Sequence, residues 1–223
     1  MNGGRVLWVV GAYLAGSFPS TYLVARMARA RQVLELADAE ASEGDAHVLL
    51  SRYAGGAWGA TAAIMDVLKG LAFALAAAHY GDLPSDWLGL AGTVVVAGHA
   101  FPFYLRPFAG RGLSCAAGVL LALLPVAMVV AGVVTLVGIV LRTTGPASTV
   151  GFGLTPAVAA IQGLDPAMVA MGAAIFALIL LRRLAGVSAA AERLGWPMAL
   201  VRRLVFDSDA PSESARPEPS PTE

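Results

Sequence analysis

The sequence predicts an all-α, polytopic membrane protein with about seven transmembrane or half-membrane helices, and three observations carry that expectation. Its 223 residues are 57% hydrophobic even before the 25 glycines are counted, only 13% are charged, and mean hydropathy is +0.71. A soluble domain is roughly 45–50% apolar with glycine included. The apolar residues fall in blocks about as long as a bilayer core is thick, and arginines gather at alternate connections between the blocks, as expected of cytoplasmic loops.

The first apolar run extends from Val6 to Met27 and is closed by Arg26, Arg29 and Arg31. Those arginines place its C-terminal end in the cytoplasm and the N-terminus outside. Gly16, Ser17 and Pro19 within it, and the basic residues after it, favour a retained span over a cleaved leader. Residues 32–52 carry Glu35, Asp38, Glu40, Glu43, Asp45 and His47, too many charges for a span. Within them Val48-Leu49-Leu50 lies in the interface or begins a short helix. The second span runs from about Trp58 to Tyr80 with Asp66 and Lys69 inside it. The connection that follows is acidic, with Asp82 and Asp86, and faces outward, with Trp87 at the interface. Leu88 to Leu105 then returns inward.

Charge parity decides the second half. A single crossing from Leu113 to Leu141 would leave Arg142 outside, and with it Arg182, Arg183, Arg202 and Arg203, against the positive-inside tendency. A reversal near Pro125 repairs this and gives two short helices of roughly 18–24 Å each. Thr149 to Ile161 and Met168 to Leu181 form a last pair, broken at Gly163-Leu164-Asp165-Pro166. Seven segments result, with the C-terminus cytoplasmic. Three regions follow: an integral membrane domain over residues 1–186, a basic amphipathic segment over 187–206 and a disordered tail over 207–223. The amphipathic segment, with Trp196 and Met198 among Arg193, Arg202 and Arg203, either meets an anionic membrane surface or packs on the protein. The tail is rich in Pro, Ser and Glu and has no apolar face.

Formal net charge is zero, so no nucleic-acid partner is implied. The single cysteine, Cys115, excludes an internal disulfide framework, and three scattered histidines give no metal-ligand spacing. No metal or other cofactor is expected. No inverted repeat of the kind frequent in transporters is visible. The chemistry-bearing stretch runs from Gly98-His99 through Arg106 to Gly110-Arg111-Gly112. Glycines flanking an arginine let backbone N–H groups approach a ligand while the guanidinium supplies charge and a fork, as suits a phosphate; the alternative is a loop whose arginines only set topology. Asp66 and Lys69, three apart on one helical face, form a structural ion pair or contact substrate. His99 is a base, a hydrogen-bond donor or a helix-terminal cap.

Several motifs, taken in order, resemble those of the bacterial acyl-phosphate:glycerol-3-phosphate acyltransferases of the PlsY type. Gly16-Ser17-Phe18-Pro19-Ser20-Thr21-Tyr22-Leu23 is similar to that family's GSxPxGYL, and Asp66-Val67-Leu68-Lys69-Gly70 to its DxLKG. The stretch GHAFPFYLRPFAGRG aligns without a gap on GHxFPxFLxFKGGKG. The resemblance covers roughly Tyr13 to Gly186 and implies a seven-helix fold. It implies transfer of an acyl group from acyl phosphate to glycerol 3-phosphate at the cytoplasmic face of a bacterial plasma membrane, forming lysophosphatidate. On that resemblance Ser42, Arg52 and Arg111 fall on active-site positions. With His99 they are the catalytic candidates; Gly110, Gly112, Lys69, Asp66, Ser17 and Thr149 are the substrate-binding candidates. On residue chemistry alone, Ser42 reads first as a solvated loop or cap serine. Departures are concentrated in two places. Where the family reads GSGNxGATNxxR this chain reads ASEGDAHVLLSR, and the family's C-terminal His and Asn fall near Phe176 and Ile179. The alternative reading is therefore a catalytically degenerate relative that binds a lipid phosphate or regulates within the membrane.

Overall fold

The computed structural model describes residues 3–31, 33, 46–104, 110–184 and 187–206, and every regular element among them is helical. Helices α1 (Gly3–Gly16) and α2 (Ser20–Met27) share the first apolar run. They are separated at Ser17-Phe18-Pro19, where proline lacks the N–H that a continuous helix would use. A short α3 (Ala46–Ala54) leads into α4 (Gly56–Tyr80), the longest helix. At 25 residues α4 rises about 37 Å, enough to cross a bilayer core of about 30 Å. There follow α5 (Ser85–Ala100), α6 (Leu113–Leu123), α7 (Pro125–Val140), α8 (Thr144–Gly153), α9 (Thr155–Ile161) and α10 (Pro166–Arg183).

The relative directions of these helices follow from contacts at their ends. Helices α5 and α10 begin together, where the Ser85 hydroxyl donates to the Asp165 carboxylate at 2.8 Å and Gly89 faces Ala167 and Met168. They also finish together, because Gly112 faces both Val96 and Ile179. Helix α6 starts at that second end and reaches back until Val119 and Leu123 meet Gly92, so it runs against α5. Helices α8 and α9 run against α10: Thr149 meets Arg183, Gly153 meets Phe176 and Pro156 meets Gly172. Helix α7 runs against α8, with Gly138 on Ala147 and Gly151 on Ala131. Helices α6 and α7 therefore point in opposite directions, and the chain reverses at Leu124 (φ −134°, ψ 59°) just before Pro125. The expected reversal near Pro125 is present, and α5, α6, α7, the α8–α9 pair and α10 alternate in direction.

Two apolar clusters hold the bundle. The larger joins α1, α4, α5, α6, α7 and α10 through residues such as Val95, Val96, Leu120, Leu124 and Ile175. The smaller clamps α2, α3 and α4 with Val24, Leu50 and Ala62, so Val48-Leu49-Leu50 belongs to a packed helix. Outward-facing Leu7, Ile64, Val129, Val133 and Val140 leave an apolar periphery of the kind a lipid-embedded bundle presents. The third span ends at Ala100, five residues before the Leu105 expected from hydropathy, because Pro102 disfavours helical geometry at Phe101.

Beyond α10, α11 (Val187–Leu194) and α12 (Trp196–Val201) lead into a wide helical turn over Arg202–Phe206. That turn packs on the start of α8: Gly145 lies against the Phe206 carbonyl, and the Thr149 hydroxyl lies within 3.3 Å of the Leu204 and Val205 carbonyls. Arg203 is buried there. The tail expected from Asp207 lies outside the described residues.

Close helix crossings depend on absent side chains. A Cβ on Gly118 would stand 2.0 Å from the Val67 carbonyl oxygen, where α6 crosses α4, whereas one on Gly132 would have only the Met128 methyl at 3.9 Å. Gly118→Ala should lower the melting temperature in detergent, because rigid helix backbone has to shift, by roughly 1–3 kcal/mol equivalent. Gly132→Ala should match wild type or gain up to about 1 kcal/mol.

Asp165 caps α10. Its carboxyl is held below the ordinary value of 3.8 by the Ala167 N–H first and the Ser85 hydroxyl second. A depressed folded-state value means the stabilisation is complete above the ordinary carboxylate range and is lost as pH falls through the lowered value. Asp165→Asn keeps a capping oxygen but cannot titrate. The variant should therefore lose less stability than wild type when melting is compared between about pH 5 and pH 3.

Candidate active site

The break between α1 and α2 turns three hydroxyls, Ser17, Ser20 and Thr21, into the bundle, and all three are buried. Opposite them α4 presents Asp66 and Lys69 from one face, and the C-terminal turn of α5 presents His99. The Lys69 ammonium stands 2.7 Å from Asp66 Oδ1 and donates to the Phe18 carbonyl at 2.9 Å, a backbone acceptor near the break that no longer takes part in a regular helix. His99 Nδ1 lies 3.4 Å from the same Asp66 oxygen. Ser17 donates to the Gly98 carbonyl at 3.2 Å. These groups, with Pro102 and Tyr104, line a small, partly open cleft.

The glycine-flanked arginine is brought to the same place. Gly110 packs on the imidazole so tightly that a Cβ there would stand 2.1 Å from His99 Nε2. From the opposite side, the Arg182 Nε–H donates to the Gly110 carbonyl at 3.4 Å, a long bond. Gly112, at φ 92°, adopts a left-handed turn that suits glycine and starts α6. Arg111 between them is half-buried. His99 therefore separates two compartments, a nearly neutral cleft with a carboxylate and an ammonium, and an arginine-bearing loop.

Asp66, Lys69, His99, Ser17, Gly110, Arg111 and Gly112 are thus assembled as neighbours from four distant parts of the chain. Thr149 lies in a different cluster. There the Arg183 guanidinium donates to Thr149, to Ser148 at 3.0 Å and to the Leu204 carbonyl at 2.9 Å, tying the C-terminal turn to α8. Arg52 sits on α3 with an exposed side chain. Ser42 lies outside the described residues. Sequence reasoning missed Ser20 and Thr21 as cleft residues, although hydroxyls beside a proline inside an apolar run are a signal that a span is broken by a polar feature. It also grouped Arg182 and Arg183 as topogenic charge. Successive helical residues point about 100° apart, so one reaches the Gly110 loop while the other is buried against α8. Among the described residues no three His, Cys, Asp or Glu side chains gather as a metal site would require.

The chain was compared with known proteins. A family described as glycerol-3-phosphate acyltransferase matches residues 6–192. Glycerol-3-phosphate acyltransferase 4 of Dehalococcoides mccartyi is 32% identical over 74% of this chain and 87% of its own length. A glycerol-3-phosphate acyltransferase of Halalkalibacterium halodurans is 30% identical over 60% of this chain and 64% of its own. Among solved structures, PlsY (YgiH), an integral membrane glycerol 3-phosphate acyltransferase in its lysophosphatidic acid form, shares the fold with a TM-score of 0.68. It covers 87% of this chain and 94% of that one, at 24% identity.

The ion pair inside the bundle makes a sharp expectation. Asp66 and Lys69 side chains are 3% and 11% exposed, so Asp66→Asn leaves an ammonium in a poorly solvated site and should cost about 3–5 kcal/mol of stability. Pairing it with Lys69→Met should recover much of that loss. A double-mutant cycle on detergent-solubilised protein checks this, and simple additivity of the two single losses would mean the pair is not coupled.

Proposed function

The chain belongs to the glycerol-3-phosphate acyltransferase family, and from that premise we propose that it transfers an acyl group from acyl phosphate to the 1-hydroxyl of glycerol 3-phosphate, forming lysophosphatidate. It is an integral membrane acyltransferase of phospholipid synthesis. The observation that carries the proposed chemistry is the seating of Gly110-Arg111-Gly112 between His99 and Arg182.

Acyl phosphate is an activated donor, so catalysis reduces largely to placement and charge. The glycerol hydroxyl oxygen attacks the acyl carbonyl carbon, the carbon–oxygen bond to phosphate breaks, and phosphate departs with that electron pair. The hydroxyl proton passes to the departing phosphate or to solvent. Both substrates carry phosphate, and the negative charge needs guanidinium forks and backbone N–H groups. Arg111 and the amides of its flanking glycines supply them, with Arg182 beside the loop. Asp66 holds His99, and His99 supports Gly110, so these two act on the loop from behind. Ser42 and Arg52 take the roles the family resemblance gives them.

The end of the bundle that bears this loop also gathers Arg29 and Arg31 after α2, Arg142 in the α7–α8 connection, and Arg202 and Arg203 after α10. The opposite end carries Asp82, Asp86 and Asp165. Under the positive-inside rule the arginine-rich end faces the cytoplasm of a bacterial plasma membrane, with the N-terminus outside and the C-terminus inside. Substrates made in the cytoplasm then reach the loop directly.

Purified protein given acyl phosphate and labelled glycerol 3-phosphate should form labelled lysophosphatidate. Arg111→Ala should lower kcat/KM by about 100-fold, the usual effect of losing one charge-stabilising donor, with Arg111→Lys intermediate. Absence of product from folded wild type, with a related enzyme active in the same assay, would overturn acyl transfer to glycerol 3-phosphate and leave the lipid-phosphate binding relative.

A further inference from the structure

We propose that the C-terminal helix pair α11–α12, with the turn after it, is an interfacial anchor that lies in the headgroup region of the bilayer, with Trp196, Met198 and Phe206 inserted among the lipids. The inference goes beyond the acyl-transfer reading and does not depend on it.

For a segment facing water, this one is turned inside out. Its buried side chains are the small Ala191 and Ala199 and the charged Arg203, whereas Met198, Val201, Trp196 at 59% and Phe206 at 53% are exposed. What fastens it to the bundle is polar. The Arg183 guanidinium donates to the Leu204 carbonyl at 2.9 Å, and the Thr149 hydroxyl lies within 3.3 Å of the Leu204 and Val205 carbonyls. A helix that docks on protein from water turns its largest apolar side chains toward the core. Here they point away from it, so the outer face calls for an apolar neighbour.

Chain connectivity locates that neighbour. With eight and six residues, α11 and α12 rise only about 12 Å and 9 Å, far short of a bilayer core of about 30 Å. Gly195, at φ 77°, separates them. Val187 follows Arg183, the last residue of α10, by four positions, so α11 begins within about 14 Å of the end of that span. At the other end of the segment, Gly145 lies against the Phe206 carbonyl, four positions after the Leu141 that closes α7. Both ends are therefore tied to the ends of lipid-embedded helices, where the apolar core gives way to headgroups.

The surface beside the anchor already faces lipid. Val140 and Leu141 are exposed at the end of α7, and the next residue is an exposed arginine, Arg142. Apolar side chains followed at once by a guanidinium mark the depth at which lipid phosphates lie. The turn over Arg202–Phe206 docks on this same connection. Tryptophan is the side chain favoured at that depth, and the half-buried Arg202 adds a second guanidinium for phosphate. Large apolar side chains with flanking arginines, on helices too short to span, are the pattern of a segment lying in the interface. The family match stops at residue 192, so α12 and the turn lie beyond the matched region.

The test uses the full-length protein with Cys115→Ser and one new cysteine, Met198→Cys or Phe206→Cys, spin-labelled and reconstituted in phosphatidylcholine–phosphatidylglycerol nanodiscs. Val133→Cys, exposed on α7, is the reference for a lipid-facing side chain. Labels at 198 and 206 should be more accessible to oxygen than to a water-soluble nickel chelate, at a depth of about 5–10 Å and shallower than the label at 133. Greater access to nickel at either position would put the segment in water and overturn the anchor. Little access to either relaxant would mean that protein, or a second copy of this chain, covers the face, and would overturn it too, as would a depth equal to that at 133. The native Trp196 gives a check without new cysteines. The emission lost in Trp196→Phe should be at least half quenched by lipids brominated near the glycerol end of their chains, and an unquenched difference would overturn the proposal.

Discussion

A carboxylate in the middle of an apolar bundle has to be compensated, and the compensation of Asp66 organises much of this protein. Lys69, one helical turn on, supplies the counter-charge, but an ammonium has three N–H groups and seeks further acceptors. It finds the Phe18 carbonyl, which is available because Pro19 interrupts the first span. His99 approaches the same carboxylate from α5. One titratable group thus fixes the mutual position of the first three spans at a single depth. In a low-dielectric setting, that polar junction is well defined because each of its members is expensive to leave without the others.

Around the junction, the helices approach as closely as their backbones allow. Gly16 and Gly98 let α1 and α5 cross, and Gly70 and Gly118 do the same for α4 and α6. In a membrane, where burial of apolar side chains gives little preference for protein over lipid, such close crossings supply packing contacts that larger residues would prevent. The short α6 turns back at Leu124, and its first turn follows Gly110 and Gly112, which pack on His99 and against Val96 and Ile179.

Much of this was legible in the sequence, and for identifiable reasons. The reversal before Pro125 followed from the sidedness of Arg142 and the later arginines, a constraint on the whole chain that local propensity does not contain. The Asp66–Lys69 pair followed from a spacing of three. The resemblance of GHAFPFYLRPFAGRG to a family motif singled out the loop whose Gly110 packs on His99. What could not be read were distances across the bundle: that Gly110 would lie on the His99 ring, or that Thr149 would belong to Arg183 and the C-terminal turn. Apolar periodicity is weak evidence for helix ends in spans that are hydrophobic all round, so the third span was drawn through Phe101 and Pro102 into the loop. Ser42 stays where the resemblance put it, because the structure describes no residue between Val33 and Ala46.

Helix α10 connects the site to the rest of the chain. Its last two residues point in different directions, Arg182 to the Gly110 carbonyl and Arg183 to Ser148, Thr149 and the Leu204 carbonyl. The family match ends at residue 192, so the turn over Arg202–Phe206 is an addition to the matched region, fastened by a buried arginine next to the one that braces the loop. A displacement of the end of α10 large enough to release one contact would therefore strain the other, since both guanidiniums hang from adjacent Cα atoms of one rigid helix. The long 3.4 Å bond from Arg182 is the weaker of the two attachments, and the buried Arg183 cluster, with three acceptors, is the one that fixes where the helix ends. The loop's geometry is then set by packing on His99 from within the bundle and by a helix terminus whose position is decided at its other neighbour.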